Sequence, residues 1–113
     1  MSHPVTIDVA HPPRRPEAVE EDIHRAVTRV RNSRDLNVLK IVHGYGSGGK
    51  GGSTKEVTQN WLFRNRSRFR AIIQGSEYGL HNPVVQEMMK ESGQFADADL
   101  GAGNPGVTIV WVH

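Results

Sequence analysis

No cysteine occurs among the 113 residues of this chain, so it can form neither a disulfide nor a thiolate metal centre. That absence fits a cytoplasmic protein. No apolar run approaches the ~20 residues that cross a bilayer. The start, Met1-Ser2-His3-Pro4, lacks the basic-then-apolar order of a secretory leader, and no membrane partner is expected. Neither sign of charge has a large surplus: 14 Lys and Arg stand against 12 Asp and Glu, a formal +2 that does not by itself imply a polyanion. The six histidines include no i, i+4 pair of metal-site type, so no metal ligands are assigned. Internal repeats are also absent.

The length suits a single domain over residues 1–113, and a chain of this size buries roughly two-thirds of its unfolded surface, enough for one core. Val5, Ile7 and Val9 alternate with Thr6 and Asp8, which predicts a half-buried strand ended by Pro12, Pro13 and Pro16. Val19, Ile23, Ala26, Val27 and Val30 fall on one face of a helix predicted over 16–31, acidic at its start and basic at its end as the helix dipole favours. A more apolar, central strand is expected over 36–42. Ser53-Thr54-Lys55-Glu56 is a capping box that starts a second helix at Ser53, with Val57, Trp61 and Leu62 on its buried face. A third strand is expected over 69–74, a third helix over 82–91 behind Asn82-Pro83, and a last, β-branched strand over 107–112. The order β-α-β-α-β-(α)-β predicts an α/β fold: a mixed sheet in a two-layer sandwich.

The segment between the second strand and the second helix is the richest in chemistry. After Ile41-Val42-His43 come Gly44, Gly46, Gly48, Gly49, Gly51 and Gly52, interleaved with Tyr45, Ser47 and Lys50. Glycine lets backbone amides approach a phosphate closely, and a helix N-terminus follows, so Gly44, Tyr45, Gly46, Ser47, Gly48 and Lys50 are candidate phosphate-binding residues. The alternative is a solvent-exposed connector. Residues 44–50 also satisfy G-x-x-x-x-G-K, but Gly51 and Gly52 stand where a P-loop needs Ser or Thr, and Ser53 comes too late.

His43, at the strand end, is either a proton-transfer or phosphate-contacting group, or a histidine bonded to backbone. Asp8 lies near the C-terminal end of its strand, where functional groups of α/β sheets gather, unless it is an ordinary solvated residue. Arg64, Arg66, Arg68 and Arg70 fall within seven residues and form a candidate track for a nucleic-acid backbone, or else a solvated helix end. Phe63 and Phe69 beside them either stack a base or are buried, and are read as buried.

The motif order resembles the Smr (small MutS-related) domain. That family opens with a strand bearing leucine-aspartate-x-histidine-glycine and continues with a strand leading into H-G-x-G. A helix with a tryptophan-leucine pair follows, and the domain closes on A-x4-G-G-x-G before an apolar strand. Here the opening segment is Ile7-Asp8-Val9-Ala10-His11, and the middle one is His43-Gly44-Tyr45-Gly46 followed by Ser47-Gly48. The helix pair is Trp61-Leu62, and Ala98, Gly103 and Gly106 precede Val107-Thr108-Ile109-Val110.

The resemblance implies a fold similar to the C-terminal domain of bacterial translation initiation factor three. It also implies a nicking or cleaving endonuclease, or a binder of DNA or RNA, with a larger repair or ribosome-associated partner. In the chemistry it implies, Asp8 orients a water or a divalent cation such as Mg²⁺ or Mn²⁺, His43 or His11 moves the proton, and the glycine loop stabilises the charged phosphate. The rival is a non-catalytic nucleic-acid-binding or ribosome-associated module.

The chain departs from the family in two places. Ala10 stands at the family's histidine position and His11 at its glycine. A regular strand would place His11 on the face opposite Asp8, unless the turn before Pro12-Pro13 redirects it. Residues 76–92 read as an insertion holding the third helix, set either beside the site or over the sheet.

Overall fold

The alternating stretch at the start is the first strand, β1 (Val5–Asp8), of a computed structural model that describes residues 4–45, 53–93 and 97–113. Pro16 opens α1 (Pro16–Arg31), where its missing amide costs nothing and its fixed φ suits the first helical turn. The apolar stripe anticipated for this helix is its buried face: Val19, Ile23, Ala26, Val27 and Val30. β2 (Val38–Val42) follows. It begins later than its apolar run because Asn37 is spent on the C-terminus of the chain, its carbonyl accepting from Val112 N at 2.8 Å and its amide donating to His113 O at 2.7 Å.

Ser53 caps α2 (Thr54–Arg64) by accepting from Glu56 N at 3.1 Å, one half of the anticipated capping box. A short 3₁₀ turn, Arg66–Arg68, leads to β3 (Ala71–Gln74) and delays that strand past Phe69. Asn82 caps α3 (Pro83–Ser92) through Val84 N at 2.9 Å, and β4 (Val107–Trp111) closes the chain.

The sheet is mixed, ordered β1-β2-β4-β3, with β1 and β2 parallel and the other pairs antiparallel. β2 lies inside, as its apolar content demands. Period-two alternation sends Leu39, Ile41, Val110 and Val112 to one face, where they meet Ile23, Val27 and Val30 of α1 and Trp61 and Leu62 of α2. This is the two-layer sandwich. The opposite face carries Val38, Ile73, Ile109 and Trp111, covered by Tyr78 and by Val85, Met88 and Met89 of α3. The segment read as an insertion therefore covers the sheet's second face.

Lys40 also points to that second face and is buried. Its ammonium donates to Asp97 Oδ1 at 2.6 Å and to Asp99 Oδ2 at 2.7 Å, while the Tyr78 hydroxyl donates to Asp97 Oδ2 at 2.8 Å. These bonds tie the 97–106 segment to the middle of the sheet.

Gly75 is required by close approach rather than by dihedral freedom. A Cβ there would lie 1.9 Å from Asn104 O and 2.7 Å from Val107 O, both backbone atoms. Gly75→Ala is expected to cost more than about 3 kcal/mol, because the strand and the segment before it must both shift. Urea unfolding measures this, and a variant within about 1 kcal/mol of wild type would show that the approach is looser than described.

Candidate functional site

β1 stops at Asp8 because the Asp8 side chain captures the backbone that follows. Its Oδ1 accepts from Ala10 N at 2.8 Å and from His11 N at 3.0 Å, a turn that ends the strand's alternation. His11 is thereby carried back toward Asp8 instead of to the opposite face, which corrects the expectation for a regular strand. Its ring Nδ1 lies 3.1 Å from Asp8 Oδ2 and 3.3 Å from Oδ1. Burial pushes the Asp8 carboxyl up, but the two amide bonds and the imidazole outweigh this and hold it below the usual carboxylate range. An ionised carboxylate only accepts, so Nδ1 carries the proton and Nε2 of the neutral ring is the free base. The His11 side chain is 76% exposed, so that nitrogen is open to a substrate.

His43 is placed differently. It is only 2% exposed and both ring nitrogens are engaged: Nδ1 donates to Gly44 O at 2.8 Å and Nε2 accepts from Thr108 Oγ1 at 2.8 Å. Behind it, Gln59 donates to Thr108 Oγ1 at 2.9 Å, and the Gln59 and Gln74 amides bond reciprocally at 2.9 Å. Burial pushes the imidazole below its ordinary value, the Gly44 carbonyl pulls the other way, and the charge of Lys55 adds to the fall. Of the roles anticipated for His43, this geometry matches the histidine bonded to backbone and offers no open nitrogen for proton transfer.

The unfolded chain takes up a proton at this residue near pH 6.5 while the folded one resists it, so its stabilising contribution is complete above that value and lost as pH falls. The thermal midpoint is expected to drop from about pH 7 to about pH 5, and His43→Gln should flatten that segment of the curve. An unchanged slope in the variant would assign the drop to other groups.

Three of the separated motifs meet here. Gly106 O accepts from both His43 N at 2.9 Å and Gly44 N at 3.1 Å. Gly44 has φ +82°, and a Cβ on it would lie 3.9 Å from the Ala10 methyl. A Cβ on Gly106 would lie 3.1 Å from Asn104 Oδ1 and 3.4 Å from Tyr45 Cε1. Ala10, Gly44, Tyr45 and Gly106 thus form one floor at the C-terminal ends of β1 and β2, next to Asp8 and His11. Tyr45 is 69% exposed on it. Gly46, Ser47, Gly48 and Lys50 lie outside the described residues.

The arginines are not brought to this floor. β3 runs antiparallel to β4, pairing Ala71 with Trp111. Arg70 therefore sits opposite Val112, about 17 Å along the sheet from Val107, at the far end. Arg64 bonds Glu20 at 2.8 Å, and Arg68 bonds Asn65 Oδ1 at 3.2 Å. Arg70 grips Glu91 with two bonds of 2.8 and 2.9 Å while lying 3.8 Å over the Trp111 ring. Arg66 lies 4.0 Å over the ring of Phe63, which is 62% exposed rather than buried. Phe69 packs against Trp61, as anticipated.

Sequence reasoning missed Asn104, which donates to Asp99 Oδ1 at 2.9 Å and accepts from Gly106 N at 2.8 Å, linking the floor to the buried lysine. It also missed Arg14, which bonds Asp8 O at 3.0 Å and pairs with Asp22. The Asn-Pro-Gly turn signal at 104–106 was a sign of the first. Nothing local marked the second.

Among the described residues no group of three His, Asp or Glu residues could hold a metal ion. A divalent cation at the dyad would find one carboxylate, already accepting from two amides and a ring N–H, so this donor set does not fit a resident metal. No helix among the described residues is long and apolar enough to cross a membrane. No family model, curated protein or solved structure matches the chain.

Proposed function

We propose that this chain is a nucleic-acid-processing domain of the Smr type, which binds a DNA or RNA phosphodiester at the glycine floor and nicks or cleaves the strand. The observation that carries the reading is the Asp8–His11 contact beside the meeting point of Ala10, Gly44 and Gly106. Asp8 fixes the ring and its tautomer. His11 Nε2 takes the proton from the attacking oxygen as the new P–O bond forms, and returns it to the leaving oxygen as the old P–O bond breaks. Amides of the glycine segment and Lys50 would hold the phosphate as its negative charge grows. Arg66 and Arg68, at the far end of the sheet, would reach only a strand long enough to run there. The setting that goes with this activity is cytoplasmic, beside a larger repair or ribosome-associated partner.

One observation favours a second reading. Ala10, at the family's histidine position, puts only a methyl group against Gly44. A domain that keeps the floor but lacks that imidazole would be a non-catalytic nucleic-acid-binding or ribosome-associated module. Incubation with supercoiled plasmid and with single-stranded RNA separates the two. Nicked or shortened product supports the enzyme. Binding that weakens steeply with salt, without product, supports the module. Neither binding nor product ends both readings.

A further inference from the structure

The structure assigns the approach path of the strand to a groove between α1 and β1: we propose that single-stranded nucleic acid lies there, with Arg25 and Arg29 on its phosphates. The assignment rests on the function proposed above and names how that site receives its substrate.

β1 is an edge strand. Beside it runs an open groove of about 390 Å³, floored by Val5, Ile7, Val9 and Ala26, with Asp8 lining it and Arg25 and Arg29 on the α1 rim. This volume is in the range that takes a small ligand, and so one nucleotide unit. The groove is continuous with the dyad, because Asp8 belongs to both. Its direction follows from Arg14, which bonds the Asp8 carbonyl and pairs with Asp22, so that turn of α1 lies at the dyad's end. Arg25 and Arg29 follow one and two turns further along.

The charges suit a polyanion. Arg25 and Arg29 are i, i+4 neighbours, about 5–6 Å apart at Cβ, on one helix face. Arg29 makes no ion pair among the described residues. Arg25 reaches Glu21 at 3.4 Å and Asp22 at 3.3 Å, long contacts on a side chain that is 68% exposed, and these exchange readily for a phosphate. Asp22 is neutralised by Arg14. The apolar floor offers surface for a base face and no donors or acceptors for reading its edge, so binding should be indifferent to sequence. An acidic extended peptide along the β1 edge is the competing occupant.

The test is the double variant Arg25→Glu with Arg29→Glu, with circular dichroism and thermal midpoint confirming the fold, and Arg25→Gln with Arg29→Gln in reserve. Fluorescence anisotropy with labelled single-stranded RNA and DNA between about 50 and 200 mM KCl reads the effect. Affinity at the low-salt end is expected to fall about tenfold or more for every sequence, and the log–log salt slope to become shallower by roughly 1.4, since each of the two single-strand contacts contributes about 0.7. Unchanged affinity and slope in the folded variant would overturn the groove assignment. If cleavage also persisted, the function would stand without it. Loss of poly-glutamate binding with oligonucleotide affinity intact would make the groove a peptide site and overturn the assignment. Absence of any oligonucleotide binding by the wild-type protein would overturn assignment and function together.

Discussion

Asp8→Asn is expected, under the proposed function, to lower the rate of strand cleavage about a thousandfold and to leave oligonucleotide affinity unchanged. The Asp8 carboxylate does two jobs. Through Oδ1 it holds the amides of Ala10 and His11, and through both oxygens it holds His11 Nδ1–H. An asparagine oxygen can keep the amides in place, so the turn should survive. Its NH₂ group, however, then faces the ring nitrogen and donates to it, which moves the imidazole proton to Nε2. A protonated Nε2 cannot accept a proton from the attacking oxygen. His11→Ala should show the same loss for the simpler reason that the base is gone. His43→Gln should change stability and its pH dependence more than the chemistry, because its ring has no open nitrogen. Single-turnover cleavage assays beside anisotropy titrations measure the separation. An Asp8→Asn protein that cleaves at the wild-type rate would remove the dyad from the mechanism.

The second large effect concerns folding. Lys40→Met is expected to destabilise the protein by roughly 3–5 kcal/mol near neutral pH. Methionine fits the channel that the lysine stem occupies, so the loss would not come from a cavity. It would come from Asp97 and Asp99, whose side chains are 4% and 20% exposed and would keep charge without its partner. Burial pulls the Lys40 ammonium down, but the bonds to both aspartates more than reverse this and raise it. Asp99 is held below the usual range, first by Asn104 and then by Lys40, against the opposing effect of burial. Burial, with Asp97 beside it, pushes the Tyr78 phenol up, so it remains a donor.

The signs define the pH window. The lysine contribution is present below its unfolded value of about 10.4 and lost as pH rises through the folded one. The Asp99 contribution is present above about 3.9 and lost as pH falls through its folded value. The deficit of Lys40→Met should therefore be widest at neutral pH and narrow as acid protonates Asp99. Adding Asp97→Asn and Asp99→Asn should recover much of it, since replacing a whole buried charge cluster is often close to neutral. Chemical denaturation at several pH values tests this. A deficit independent of pH would point to packing instead of charge.

The Lys40 cluster and the dyad are also connected, through Asn104 to Gly106 and from there to His43 and Gly44. The support of the floor is thus a chain of hydrogen bonds reaching the middle of the sheet. Asn104 and Gly106 are themselves two residues apart, but both are remote in sequence from the His43 and Gly44 they hold in place.

Much of the fold was legible because it follows from local period. The 4, 3, 1, 3 spacing from Val19 to Val30 admits one buried face, and α1 has it. Ser53 and Asn82 mark helix starts because their side chains satisfy amides that a helix leaves free. The β-branched run before the C-terminus marked the last strand, and β4 is there. Where period stopped, inference from period stopped as well. For His11 alternation alone left two outcomes, the opposite face of a regular strand or a redirecting turn before Pro12-Pro13, and the Asp8 side chain decides for the turn. Arg64 to Arg70 looked like one site because they are close in sequence, yet the antiparallel register of β3 on β4 sets Arg70 at the end of the sheet away from Asp8, while Arg64 reaches Glu20 in the second turn of α1. Phe63 was read as buried because it is aromatic, but α2 turns it outward beside Arg66.

From its residues alone the chain settles its elements, the stripes they bury and the glycines it sets before α2, because each depends on chain geometry over a few positions. Only tertiary structure decides that Ala10, Gly44 and Gly106 touch, that His11 rather than His43 presents an open nitrogen, and that Lys40 shares its charge with two distant aspartates. Those outcomes rest on strand order, register and burial, which set the distance between residues remote in sequence and which no local pattern encodes.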